Sequence, residues 1–336
     1  LPWPPARNPW NLGHHPGGSS SGSGVAVAAG FMPAALGTDS GGSVRNPASM
    51  CGIVGMKPTY GLVSRKGVLP LSYSLDTVGP MTRNVEDNAI LLEAIAGHDS
   101  DDPASVNVPT GRFTRSLDAG VDGLRIGYIR HFHEVDLDDA DPDMLASLDA
   151  AAETFSELGA EVREVSVKPL DDYAAVNRVI LLTEGYSIHE EWLKARPGDY
   201  GSLARQRLLP GAFIRGADYV SALRTRGEFV RAFSETMRDL DVVICASSME
   251  PASKIDNEAE VARGYQRQAR MVFNLLGNPA IALPTGFSKA NLPLAMQIVG
   301  KPFQEDMVFR VAHAYEAAIR WNERRPDLSE LPVETP

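Results

Sequence analysis

The sequence predicts an α/β protein, and three observations carry that reading. Pro142–Leu158 reads as a helix ended by Gly159, and Glu161–Val167 then places Val162, Val165 and Val167 as a strand. A second succession runs from a buried strand at Asp241–Ala246 through a helix at Val261–Leu276, closing at Gly277, to strands at Ala280–Pro284 and Leu294–Val299. Helix, glycine and strand in that order belong to α/β folds. Composition agrees: 336 residues can bury one large core or two small ones, and 43% hydrophobic with 22% charged residues are ordinary globular values.

Taken in order, residues 1–16 form a Pro/Gly-rich loop, and Ser21–Phe31 a short buried helix with Ser21 or Ser23 as N-cap. Ala34–Gly37 reads as a strand delivering Thr38 and Asp39. A helical turn begins at Ser43 and is limited by Pro47, and Ile53–Lys57 is a further strand. Asp76–Pro80 reads as a loop. Val85–Ala96 is an amphipathic helix with Ala89, Leu92 and Ile95 on its apolar face and Asn84 as N-cap. Asp99–Ala119 is polar and loop-like, and Leu124–Ile129 is a strand. Residues 171–238 are mostly helical, divided into three segments by Pro197-Gly198 and Pro210-Gly211. Phe303–Trp321 is the last helix; Met271, Phe273 and Leu275 read as core.

Charge and cysteine content exclude several classes. A net charge of −11 argues against direct nucleic-acid binding. Two isolated cysteines, Cys51 and Cys245, fit buried thiols in a reducing, cytoplasmic setting, and no Cys/His spacing suggests a metal. No apolar run reaches the roughly 18 residues that a membrane span needs. The first residues lack the apolar segment of a signal peptide and read as a chain begun in mid-loop.

The stretch Gly17–Ser43 organises the rest. Two Ser/Gly clusters, Gly17–Gly24 and Gly37–Ser43, flank one short run of small apolar residues. Glycine admits positive φ and close approach, and serine becomes nucleophilic once a base takes its proton. A flexible linker does not alternate with an apolar run of this length. Gly22-x-Gly24 lacks the third glycine of a dinucleotide fingerprint, and no Gly-Lys-Ser/Thr follows as in a P-loop. Gly18-Ser19-Ser20-Ser21-Gly22 matches G-x-S-x-G formally, but a loop precedes it where a nucleophile elbow needs a strand.

The run resembles the amidase signature, the Gly/Ser-rich sequence of a family of serine amidohydrolases. The likeness covers Asn8-Pro9-Trp10-Asn11, Pro16–Ser23, Ala35–Pro47, Cys51–Thr59, Leu75–Arg83 and Gly277–Ile281. It implies an α/β fold with a large mixed β-sheet covered by helices, here incomplete at the N-terminus, with 1–336 as one partial domain. It implies that 1–98 carry the catalytic serines and that 171–238 wall the substrate pocket. By the same likeness Ser43 matches the nucleophile and Ser19 the bridging serine in a cis peptide. The amides of Ser40, Gly41, Gly42 and Ser43 match the oxyanion hole, where a Cβ would obstruct the donors. Asp39 and Arg45 match loop-bracing positions, with Thr38 beside them and Ser20 as a further hydrogen-bonding partner. Such a site needs no cofactor and no imidazole, so His189 and His313 read as packing or surface residues; His14 and His15, near Ser19, are open to either role.

The family's base is a lysine far upstream of the first serine, and no residue before Ser19 is lysine. The expectation is an N-terminally truncated fragment, hydrolysing amides negligibly alone and prone to association; Lys57 as a substitute base is the weaker reading. The implied activity is hydrolysis of a small-molecule amide to acid and ammonia or amine, with a homodimer as one assembly open to it. One alternative is the A subunit of a tRNA-dependent amidotransferase, with Arg207 near the substrate carboxylate; Ile255–Tyr265 departs from the pattern of such proteins. Another is a base-less binding or scaffold fragment. The relay implies Ser19 and Ser43 hydroxyls about 2.6–3.5 Å apart.

Overall fold

The computed structural model describes residues 4–329, so the first three residues of the expected N-terminal loop lie outside it. The strands are β1 (Ala34–Asp39), β2 (Val54–Lys57), β3 (Thr77–Thr82), β4 (Arg125–Tyr128), β5 (Glu161–Glu164), β6 (Val242–Ala246), β7 (Ala280–Phe287) and β8 (Pro293–Gly300). The helices are α1 (Ser21–Ala28), α2 (Arg45–Cys51), α3 (Val85–Ile95), α4 (His131–Glu134), α5 (Pro142–Glu157), α6 (Leu170–Ala195), α7 (Ser202–Leu208), α8 (Gly216–Thr236), α9 (Glu258–Gln266), α10 (Arg270–Leu276) and α11 (Glu305–Ile319).

All eight strands form one sheet in the order β1-β3-β2-β7-β8-β6-β4-β5. It is mixed: β6, β4 and β5 run parallel, and every other neighbouring pair is antiparallel. β2, β6 and β8 are buried along their whole length, as expected of strands covered by helices on both faces. Helices α2, α5 and α11 pack on β7 and β8, while α6, α8 and α10 pack on one another. The main core lies between these layers. A smaller cluster of Val27, Ala28, Val44, Ala48, Cys51, Ile53, Met81 and Ala282 sits under α1 and α2. No helix among the described residues is long and apolar enough to cross a membrane.

Four expectations are corrected. Residues 77–80 are not loop but part of β3: Gly79 is there because a Cβ would run into the Met56 carbonyl, so a glycine that reads as a turn permits close strand approach. Pro47 does not limit the turn after Ser43, because it falls in the first turn of α2, where no N–H is needed; the helix runs on to Gly52 at φ +67°. α1 ends at Ala28, its N-cap is Ser20, and Phe31 is 70% exposed rather than buried. The expected helix 261–276 is broken into α9 and α10, where Gln268 Oε1 accepts the N–H of Arg270 at 2.6 Å and of Met271 at 3.2 Å and starts a new helix. The short helix α4 has no counterpart in the sequence reading.

Candidate active site

The two serine clusters are brought together by packing between small residues. A Cβ on Gly24 of α1 would stand 2.8 Å from Pro47 Cβ of α2, and one on Gly17, at φ +80°, 2.6 Å from Pro47 Cα. The loop into α1 is tied down by Asn46 Nδ2 donating to the Gly18 carbonyl (3.2 Å) and Ser21 Oγ to the Gly17 carbonyl (2.6 Å). The Gly18–Ser19 peptide is cis, as the resemblance implies. Ser20 bridges to β1, its Oγ accepting from Thr38 N at 3.3 Å and lying 3.4 Å from the Thr38 carbonyl.

Asp39, at the end of β1, shapes the loop that follows. Its carboxylate accepts the N–H of Gly42 (2.7 Å), Val44 (3.1 Å) and Arg45 (3.3 Å). It also pairs with the Arg45 guanidinium at 3.0 Å, both side chains being fully buried. Burial alone would raise the Asp39 carboxyl; Arg45 and the Asn274 amide override it and hold it well below the usual carboxylate range. Arg45 is completed by Gln297 of β8 (2.6 Å) and Asn274 of α10 (2.7 Å), so each of its three guanidinium nitrogens donates to a buried acceptor.

This geometry revises one expected donor. The Gly42 N–H is taken by Asp39, which leaves the amides of Ser40, Gly41 and Ser43 without an acceptor among the described residues. Ser40 Oγ donates to Asp76, whose other oxygen accepts the N–H of Leu71 (2.8 Å) and Ser72 (2.9 Å). Ser72 and Ser74 in turn donate to Glu184 of α6, which also accepts from Tyr219 of α8 at 2.7 Å. The 40–43 loop is thereby braced against the helical region.

Ser43 is half-buried and Ser19 exposed. The expected hydroxyl-to-hydroxyl bond is not formed: among the described residues no hydrogen bond joins their Oγ atoms. Main chain joins the loops instead, Ser20 N–H donating to the Ser43 carbonyl at 3.1 Å. Loose side-chain geometry is usual where no substrate is bound. Lys57 is fully buried in β2, and its Nζ donates to the Pro58 carbonyl at 2.8 Å; burial, then the Arg45 charge, pull its ammonium down to about 7. His189 bonds Tyr200 and His313 the Leu117 carbonyl, both structural contacts, whereas His15 lies edge-on to Tyr265 beside the loop.

Asn274, Gln297, Arg270, Asp76 and Glu184 were not singled out from sequence. A signal existed for two: a glutamine inside the apolar run of β8, and an arginine opening the apolar run of α10, are buried polar groups that require partners.

The family model for amidases matches residues 2–309. The A subunit of glutamyl-tRNA(Gln) amidotransferase from Geotalea daltonii is 38% identical over 348 residues, covering 96% of this chain and 71% of that protein. Among solved structures, the corresponding protein of Thermotoga maritima superposes with a TM-score of 0.81 at 37% identity, over 93% of this chain and 68% of that one. The peptide amidase of Stenotrophomonas maltophilia superposes with a TM-score of 0.82 at 29% identity, over 96% of this chain and 69% of that one. The motifs and the mixed sheet thus agree with the comparisons, and the chain belongs to the amidase family, the amidase signature hydrolases that act on amide C–N bonds.

Proposed function

We propose that Ser43 is the nucleophile that takes the acyl group of a carboxylic amide. Its Oγ attacks the carbonyl carbon as its proton passes to Ser19, which in the same relay gives up its own hydroxyl proton toward the amide nitrogen. The carbonyl oxygen, now an oxyanion, is held by the amides of Ser40, Gly41 and Ser43. The C–N bond breaks as the proton reaches the leaving ammonia or amine, and water then releases the acid from the acyl-serine. One observation carries the reading: Asp39 folds the 40–45 segment around itself, so unsatisfied N–H groups cluster at Ser43. The helices of 171–238 wall the acyl pocket, which the proximity of Asn177 Oδ1 to Gly41, 3.9 Å from where its Cβ would stand, supports. The buried free thiols Cys51 and Cys245 support a reducing compartment such as the cytoplasm.

Reaction with a fluorophosphonate followed by peptide mass spectrometry tests the assignment. An adduct on the Ser43 peptide after prolonged reaction, lost in Ser43→Ala, is the expected result; an adduct formed on another serine of the folded protein overturns it.

The 38% identity to an amidotransferase component favours a second reading, in which the amide is glutamine and turnover depends on partner proteins. The stacking of Arg207 4.5 Å from the Tyr265 ring centre, beside the Gly18 loop, supports a cation for that carboxylate in this reading. Glutaminase activity appearing only with such partners separates the two readings.

A further inference from the structure

A buried cation at the serine loop has no counter-ion of its own among the described residues. Arg270 opens α10 and is 2% exposed. It lies directly on Gly42: a Cβ built there would stand 2.7 Å from both Cβ and Nε of Arg270. One end of the guanidinium is committed, Nη1 donating to the Ser247 carbonyl at 2.8 Å and to Ser248 Oγ. Nε has no acceptor among the described residues. Asp39, the carboxylate that feels this charge, is already saturated by Gly42, Val44, Arg45 and Asn274. A buried charge without a partner is costly, and an unmade charged hydrogen bond is the expensive part of it. A cleft lined by His15, Asn46, Ser248, Tyr265 and Arg267 shares Ser248 with Arg270, and Arg207 adds a second cation over Tyr265.

We propose that Arg270 is a specificity-determining residue that selects amides carrying a carboxylate close to the scissile carbonyl, its free Nε–H being the donor for that carboxylate. The inference rests on Ser43 being the acylated residue. Because Nε lies against Gly42, next to Ser43, the anionic group has to sit one or two carbons from the carbonyl. Monoamides of short dicarboxylic acids, such as malonamate and succinamate, meet that requirement; neutral amides of the same size leave the donor unmade. A charge-assisted bond of this kind is about twice as strong as a neutral one.

Calorimetric titration of the Ser43→Ala protein, in which no turnover intrudes, is the test. Malonamate or succinamate should bind at least about tenfold tighter than propionamide or butyramide. Adding Arg270→Gln should abolish that preference, and Arg270→Lys should restore part of it, since charge returns without the planar fork. Equal binding of acidic and neutral amides, or a preference that survives Arg270→Gln, overturns the proposal. If Arg270→Gln does not fold by thermal melting, the Arg270→Lys protein carries the comparison, and an undiminished preference there counts against it. Prolonged fluorophosphonate labelling of the wild-type protein reads Ser43 separately: a labelled Ser43 with no preference for acids removes only this inference, and a label on another serine in place of Ser43 removes the proposed mechanism and this inference with it.

Discussion

The backbone N–H of Ser20 donates to the carbonyl of Ser43 at 3.1 Å, so the two serine loops are coupled through main chain rather than through their hydroxyls. Anything that shifts Ser20 therefore shifts Ser43.

Gly37→Ala should exploit that coupling. A Cβ on Gly37 would stand 2.6 Å from Ser20 Oγ, 2.9 Å from Ser20 Cβ and 3.0 Å from Val44 Cγ2. Overpacking of this kind costs about 1–3 kcal/mol, and the displaced Ser20 should slow fluorophosphonate labelling of Ser43. Gly22→Ala is the control: it meets nothing within 4 Å on the exposed side of α1 and should be neutral or slightly stabilising. Urea denaturation and labelling rates that do not separate these two variants would contradict the coupling.

Arg45→Met should be among the most destabilising single changes. It strands the Asp39 carboxylate, fully buried, and such a break costs about 3–5 kcal/mol. Replacing both partners, as Asp39→Asn with Arg45→Met, should cost clearly less than the sum of the single changes. The Asp39 carboxyl is held below its unfolded value of 3.8, so its contribution is complete above that pH and is lost as pH falls through the folded value. Additive losses in a double-mutant cycle would deny the pairing.

These contacts explain what sequence could and could not disclose. Ser19, Ser43 and the Asp39–Arg45 segment lie in contiguous motifs, and β2, β6, β7 and β8 announce themselves as short apolar runs. The groups that complete the site do not: Arg45 meets Asn274 across 229 residues and Gln297 across 252. Local pattern carries no information on such pairings. Gly79 misleads for a related reason, since the constraint on it is the Met56 carbonyl of a neighbouring strand rather than any turn of its own. The break between α9 and α10 depends on one side chain, Gln268, folding back on the helix that follows it.

Glu316 gives the fold a pH dependence away from the site. Its carboxylate accepts the N–H of Val85 at 3.1 and 3.2 Å, starting α3, while burial raises its pKa from 4.5 to about 7. A carboxyl whose folded pKa is raised binds more protons in the native state between those values, so stability falls as pH rises from about 4.5 to about 7 and is level above. The shift amounts to a loss on the order of 3 kcal/mol. Glu316→Gln keeps an acceptor for Val85 without the charge, so its advantage over wild type should grow with pH across that window. Urea midpoints that stay parallel from pH 4.5 to 8 would exclude this.

The last prediction concerns where the proton of Ser43 goes. No lysine precedes Ser19 in these 336 residues. Lys57 tempts as a substitute, because an ammonium lowered to about 7 has the pKa of a general base at neutral pH. Its geometry argues otherwise: it is fully buried in β2 and its Nζ donates to the Pro58 carbonyl. A base must reach the proton it removes, and pKa comes second to that. Loss of one member of a catalytic triad leaves the oxyanion hole and binding to act alone, at a cost on the order of 10⁴ in rate. A polypeptide of these residues alone should therefore release ammonia from simple amides barely above background. Lys57→Met should leave that residual rate unchanged, and small primary amines added to the buffer should raise it. Robust turnover abolished both by Ser43→Ala and by Lys57→Met, in variants that remain folded, would make Lys57 the base after all.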